Sequence, residues 1–174
     1  MPQRFLSRQD SGGVESVLER FLEFEHRVVV GNGDLYGEAG LGAIVTVRAG
    51  FFEQLPVKVA SIDVVISNGV VNLAPDKSQV FAEIYRVLRP GGRLYLADVV
   101  VQRELKYEVR NSPDLWTACI AGALPEGELT ELAIASRFHE PRIMERFDCF
   151  GDTTAEAKVA RDLHMQAVNF FARK

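Results

Sequence analysis

Two runs of apolar residues, with a helical pattern between them, dominate the middle of the chain. The segment SIDVVISN (61–68) is an almost unbroken apolar run of strand length, typical of a parallel strand covered on both faces. Apolar residues then recur at helical spacing over 76–88, with Pro75 expected in the first helical turn, and the Pro-Gly-Gly sequence at 90–92 ends this helix. RLYLADVVV (93–101) is a second buried strand. A strand, a helix and a strand of this composition predict an α/β fold with a right-handed crossover.

Weaker patterns flank this segment. The closing strands have only a short connector, so we expect them to pair antiparallel at one edge of the sheet. The length of 174 residues suits a single domain, 1–174. The flanking patterns predict a helix over 14–25, strands at 28–30 and 44–48, helices over 112–124 and 126–136 separated by Pro125, and closing strands at 140–150 and 164–174.

The composition excludes several classes of protein. Hydrophobic residues make up 47% of the chain, charged residues 25%, and the formal net charge is −4, without the long like-charged runs of a nucleic-acid-binding protein. No apolar segment approaches the length of a signal peptide or a membrane span. Three histidines and two cysteines lack metal-ligand spacing, so no metal site is predicted, and the cysteines suit a reducing compartment. We therefore expect a soluble cytoplasmic protein without nucleic-acid or membrane partners.

Polar residues and glycine mark the ends of the two central strands. In open α/β sheets, ligands bind beyond the carboxyl ends of the strands. Asn68 and Gly69 follow the first strand, and Asp98 lies in or just beyond the second. Asn72 either hydrogen-bonds a ligand or holds its own turn, and turn formation is the commoner role of such an asparagine. Asp98 either serves chemistry or is a solvated carboxylate at a strand end.

Residues 41–174 resemble a known family through three sequence blocks: NLAPDK, LRPGGRLYLADV and LWTACIAGAL. These blocks are similar to those of class I S-adenosylmethionine-dependent methyltransferases, and most similar to those of arsenite methyltransferases. Residues 1–40 are a divergent N-terminal segment outside the resemblance. The resemblance implies an incomplete Rossmann-like α/β fold, with a mostly parallel sheet and an antiparallel C-terminal edge, and S-adenosylmethionine as cofactor.

The resemblance also implies roles for individual residues. In the GFFE segment, Phe51 and Phe52 correspond to positions beside the adenine with Glu53 nearby, although core packing is the commoner fate of phenylalanine at strand ends. In the SNGV segment, Asn68, Gly69 and Val70 correspond to positions beside the methionine end of the cofactor. Asp98 would orient the substrate or act as a base.

The chain departs from the arsenite methyltransferases in its cysteines. Those enzymes hold trivalent arsenic through several thiolates, because a soft metalloid prefers sulfur. Gly69 stands where that family has one such cysteine, whereas Cys119 is retained at a second position. Cys119 is therefore either a substrate ligand or a buried structural cysteine. A single thiol does not make a multidentate arsenic site.

The family's glycine loop and ribose-binding acid have no clear counterpart, because only VVVGNG (28–33) resembles the loop and no acid precedes it. Without the glycine-loop strand, the strand at 62–67 would expose an apolar edge. We expect residues 28–30 to pair with that edge, or a second copy of the chain to cover it in a homodimer.

Two functions are open at this point. The chain is a methyltransferase that transfers a methyl group from S-adenosylmethionine to a small-molecule acceptor of unknown identity. Alternatively, it is a truncated, non-catalytic methyltransferase-like module that acts through oligomerisation or protein interaction.

Overall fold

The computed structural model describes residues 27–30, 45–48, 50–112, 115, 120–148 and 163–174. Contacts divide the chain into two compact units, residues 1–49 and 50–174. In the first unit, strand β1 (Arg27–Val30) pairs in parallel with strand β2 (Val45–Arg48). The helix expected over 14–25 lies outside the described residues.

The second unit contains the strand, helix and strand expected from the central apolar pattern, and the two closing strands. Its elements are β3 (Ile62–Asn68), a 3₁₀ turn (Val71–Leu73), α1 (Lys77–Val87), β4 (Leu88–Val101), α2 (Tyr107–Arg110), β5 (Leu124–Pro125), α3 (Glu126–Ala135), β6 (His139–Phe147) and β7 (Gln166–Arg173). Among the described residues, no helix is both long enough and apolar enough to cross a membrane.

The sheet of the second unit runs in the order β3, β4, β7, β6, and β5 also pairs with β4. The pairs β3–β4 and β4–β5 are parallel, whereas β7 pairs antiparallel with both β4 and β6. The prediction of an α/β sheet with an antiparallel C-terminal edge is therefore confirmed.

Helix α1 begins and ends within one residue of the predicted bounds, 76 and 88. The Asp76 carboxylate caps the helix by accepting a hydrogen bond from the Gln79 backbone N–H at 3.0 Å. Pro75 therefore precedes the N-cap, which corrects the expectation that it lies within the first turn. After Leu88, Gly91 takes a φ of +79°, a left-handed conformation that favours glycine.

The main hydrophobic core lies where α1 and α3 pack against the sheet. Phe81 of α1 is fully buried, and its ring meets the ring of Phe138 edge-on with centroids 6.2 Å apart. Tyr85 packs edge-on against the same Phe138 ring at 5.3 Å. A smaller core cluster forms beyond the end of β4 around Val101, Leu105, Ile120, Ala123 and Met165.

The edge strands of this sheet, among the described residues, are β6 and β3. Edge strand β6 carries Pro141 and four charged residues over its nine positions, features that discourage pairing with another chain. Among the described residues of 50–174, the strand that pairs with β3 is β4. Residues 28–30 pair with β2 within the first unit, and their expected pairing with β3 stays a prediction.

Candidate functional site

The turn after β3 carries three of the predicted cofactor residues. Asn68 ends the strand opposite Ala97 of β4, and its side chain is exposed. Gly69 has a φ of +67° and donates its backbone N–H to the Ala97 carbonyl at 2.8 Å. Among the described residues, a Cβ added at Gly69 would meet no atom within 4 Å. Val70, which follows, is half-buried.

Asp98 lies inside β4 and is only 6% exposed. Of the two alternatives for Asp98, the solvated carboxylate at a strand end is therefore wrong. Its carboxylate accepts hydrogen bonds from the backbone N–H groups of Val99 at 2.9 Å and Asn72 at 3.1 Å. Burial raises the pKa of Asp98 to about 6, and these backbone hydrogen bonds oppose the increase. Asp98 thus ties the turn after β3 to the end of β4, and its catalytic role stays a prediction.

Asn72 completes this connection. Its side-chain amide donates to the Val99 carbonyl at 2.7 Å, and the residue is buried. Gly122 packs directly against it, since a Cβ added at Gly122 would lie only 1.9 Å from the Asn72 carbonyl oxygen. The interpretation of Asn72 as the residue that holds its turn is confirmed, and we name Asn72, Asp98 and Gly122 the β4-end cluster.

Lys77 lies beside this cluster, at the start of α1. Its ammonium group donates to the Ala74 carbonyl at 3.1 Å. Burial lowers the pKa of Lys77, and the nearby positive charge of Arg110 adds to this effect, whereas the carboxylates of Asp98 and Glu128 oppose it. Sequence analysis did not single out Lys77, although the residue belongs to the NLAPDK block that carries the resemblance.

The other predicted cofactor residues lie on a separate segment. Phe51 is 77% exposed and begins a tight turn, in which the Gln54 N–H donates to the Phe51 carbonyl at 3.1 Å. Phe52 is half-buried and packs against the main core, as the core-packing interpretation predicts. Glu53 is half-buried, and its carbonyl accepts a hydrogen bond from the Gln79 side chain at 3.3 Å. The exposed Phe51 ring remains available to a ligand.

The structure therefore brings Asn68, Gly69, Val70 and Asp98 together around the ends of β3 and β4, and places Phe51, Phe52 and Glu53 on the 50–57 turn beside α1. Cys119 lies outside the described residues, so its predicted role is not tested.

A cavity of about 420 Å³ opens near the start of α1. The predicted cofactor residues and Asp98 do not line it, so it does not support their assignment. Its lining combines charged residues with the segment that precedes α3: Pro75, Asp76, Lys77, Ser78, Arg110, Ala121, Gly122, Ala123, Leu124, Glu128 and Leu132.

Sequence comparison places this chain among methyltransferases. An arsenite methyltransferase of Aquipseudomonas alcaligenes is 40% identical over 115 residues, which cover 64% of this chain and 33% of that protein. The arsenite methyltransferase of Homo sapiens is 46% identical over 103 residues, which cover 58% of this chain and 28% of that protein. The chain thus spans a third or less of the length of these curated relatives.

Structural comparison agrees. The crystal structure of an arsenic(III) S-adenosylmethionine methyltransferase from Chlamydomonas reinhardtii is similar with a TM-score of 0.64 and 34% identity, covering 80% of this chain and 48% of that one. This similarity confirms the predicted Rossmann-like methyltransferase fold and the resemblance to arsenite methyltransferases. The family of methyltransferase domains matches residues 39–147, more than half of the chain. The chain therefore belongs to the methyltransferase-domain family.

Proposed function

We propose that this chain binds S-adenosylmethionine at the carboxyl ends of β3 and β4 and transfers its methyl group to a small-molecule acceptor. The observation that carries the proposal is the turn after β3, where an exposed asparagine and a glycine with positive φ are tied to β4. Membership of the methyltransferase-domain family and the similarity to a solved S-adenosylmethionine methyltransferase support it.

The chemistry of this turn fits the methionine end of the cofactor. That end carries an ammonium group and a carboxylate, and the Asn68 amide offers both an acceptor and a donor. Gly69 has no side chain and a positive φ, so it suits a close approach of a ligand to the backbone. The β4-end cluster fixes the turn through one buried and one partly buried hydrogen bond, so little conformational entropy is lost when a ligand binds.

The 50–57 turn fits the other end of the cofactor. Adenine is a flat aromatic ring, and the exposed ring of Phe51 offers a flat apolar surface to stack against it. Phe52 anchors the same turn in the core. Phe51 and Asn68 are thus the two side chains of the proposed cofactor site that are both exposed and chemically suited to a contact.

When bound, the cofactor supplies an electrophilic methyl group on a sulfonium sulfur. The protein residues have to hold the acceptor in line with that methyl group, a task of positioning that needs little acid or base chemistry. Asp98 contributes through the turn that it holds, because backbone N–H groups already engage its carboxylate oxygens. Gly69 offers no thiolate, so this turn does not support trivalent arsenic as the acceptor.

Isothermal titration calorimetry with S-adenosylhomocysteine tests the proposal. We expect binding with a micromolar dissociation constant and a weakening of roughly tenfold in Asn68→Ala and in Phe51→Ala, the size of one lost polar or aromatic contact. Ile134→Ala serves as the control, because Ile134 is also exposed (57%) and lies in α3, far from both turns in sequence. Absence of binding at millimolar ligand would contradict the proposal and favour a non-catalytic module.

A further inference from the structure

Three polar side chains of α1 bind the backbone of the 50–57 turn. Gln79 donates to the Glu53 carbonyl at 3.3 Å, and the Glu83 carboxylate accepts from the Leu55 N–H at 3.0 Å. One guanidinium nitrogen of Arg86 donates to the carbonyls of Leu55 and Val57, at 3.1 and 3.0 Å. We name Gln79, Glu83 and Arg86 the α1 clamp.

The spacing of these residues explains why one helix supplies all three contacts. Positions 79, 83 and 86 follow each other by four and three residues, so they share one face of α1. The opposite strip of the helix, which includes Phe81 and Ile84, packs in the core. The other face of the helix, which carries the α1 clamp, thus hydrogen-bonds to the backbone of the turn.

Glu83 and Arg86 form a two-point ion pair within the clamp. The Arg86 guanidinium donates to both Glu83 carboxylate oxygens, at 2.7 and 2.8 Å. Glu83 is 9% exposed, and the hydrogen bond from Arg86 holds its pKa below the ordinary value. Paired charges of this kind have a fixed geometry, which suits them to defining the position of a backbone segment.

The clamp acts on a turn whose ends are already closely packed. A Cβ added at Gly50 would lie 2.6 Å from the Pro56 ring, so the two ends of the turn touch. Phe51 projects from this turn and keeps 77% of its surface exposed. A rigid turn with an exposed aromatic ring is pre-organised to stack on a flat ligand, since little entropy is lost on binding.

We infer that Gln79, Glu83 and Arg86 are positioning residues, which hold the 50–57 turn so that Phe51 meets the aromatic ring of a bound ligand. The inference rests on the proposed function for the identity of that ligand, the adenine of S-adenosylmethionine. It assigns to α1 a role beyond core packing: its outer face sets the geometry of one half of the cofactor site.

The experiment compares Arg86→Met with Arg89→Met. Arg89 lies three residues away and also forms a two-point pair, with Asp63 at 2.9 and 3.1 Å, but its pair is exposed and holds no turn. Amide hydrogen exchange at Leu55 reports on the clamp, and urea unfolding reports on global stability. Calorimetric titration with S-adenosylhomocysteine, in wild-type and Phe51→Ala backgrounds, reports on positioning.

In Arg86→Met we expect at least tenfold faster exchange at Leu55 and roughly tenfold weaker binding, whereas Arg89→Met changes neither. In the Phe51→Ala background, Arg86→Met should weaken binding no further, because the ring to be positioned is absent. An equal loss of affinity in both backgrounds, or unchanged affinity despite faster exchange, overturns the positioning role.

Failure of the proposed function is separable from failure of this inference. If the wild-type protein does not bind S-adenosylhomocysteine, the proposed function and the adenine assignment fall together. The exchange rate of Leu55 in Arg86→Met still decides whether the clamp holds the turn. Unchanged exchange there would overturn the clamp itself, whatever the protein binds.

Discussion

The buried carboxylate of Asp98 makes the stability of this protein depend on pH. Its pKa is about 6 in the folded protein, against an ordinary value of 3.8, because burial disfavours the charged form. Between these two pH values, the folded state holds one more proton at Asp98 than the unfolded state does. The free energy of unfolding therefore falls as pH rises through this window, and the full penalty is present above pH 6.

The size of the effect follows from the two pKa values. At about 1.36 kcal/mol per pKa unit, the whole penalty is about 3 kcal/mol, of which about 1 kcal/mol develops between about pH 5 and pH 7. Glu83 and Glu126 have lowered pKa values, so their contributions are lost only at pH values below about 4.5. A measurement above pH 5 thus isolates Asp98 among these carboxyl groups.

Urea unfolding of wild-type protein and Asp98→Asn at pH 5, 6 and 7 measures the effect. The asparagine has only one acceptor oxygen for two backbone N–H groups. The lost hydrogen bond lowers the unfolding free energy of the variant by about 1–3 kcal/mol, a contribution that does not depend on pH. The difference in unfolding free energy, wild type minus variant, should fall by about 1 kcal/mol from pH 5 to pH 7. A difference that is constant across this range would refute the assignment of a raised pKa to Asp98.

Four further substitutions test other contacts. Gly122→Ala should lower the free energy of unfolding by about 3 kcal/mol or more in urea, because its Cβ would overlap the Asn72 carbonyl. Gly127→Ala is the control: Gly127 is an exposed helical position with no described atom within 4 Å of an added Cβ, so this change should raise stability by up to about 1 kcal/mol. Lys174→Met should lower the free energy of unfolding by about 1–3 kcal/mol, because the Lys174 ammonium donates to the carbonyls of Tyr85 and Leu88 at 2.7 and 2.8 Å. An unchanged urea midpoint would contradict this prediction. Gly69→Cys should lower the free energy of unfolding by about 1–2 kcal/mol, because position 69 has a positive φ. The new thiol should react fast with Ellman's reagent, and a slow reaction would show that the turn is closed.

The sequence predicted the central elements because their signals are local. The apolar run of β3, the helical spacing of α1 and the Pro-Gly-Gly sequence after it depend on near neighbours in the chain. The N-cap at Asp76 is likewise a contact over three residues. The antiparallel pairing of β6 and β7 was expected as well, and the structure confirms it although residues 148–165 separate the two strands.

The features that shape the candidate site depend on distant contacts. The sequence left a solvated carboxylate open for Asp98, because the 3₁₀ turn that covers this carboxylate in the structure lies 26 residues away in the chain. Glu83 and Arg86 look like ordinary exposed residues of a helix, yet their partners lie 28 to 31 residues away. Periodicity carries no information about such partners, so the β4-end cluster and the α1 clamp could not be predicted from it.

The buried polar residues indicate what the β4-end cluster and the α1 clamp contribute to the protein. Within the part of the chain that the structure describes, the buried polar or charged side chains are Asn72, Glu83 and Asp98. Each of them ties down a turn that carries predicted cofactor residues: Asn72 and Asp98 the turn after β3, and Glu83 the 50–57 turn. Buried charge is a poor way to gain stability, since apolar residues of similar size often stabilise as well or better. The placement of all three beside the same two turns therefore favours selection for the geometry of a ligand site over selection for stability.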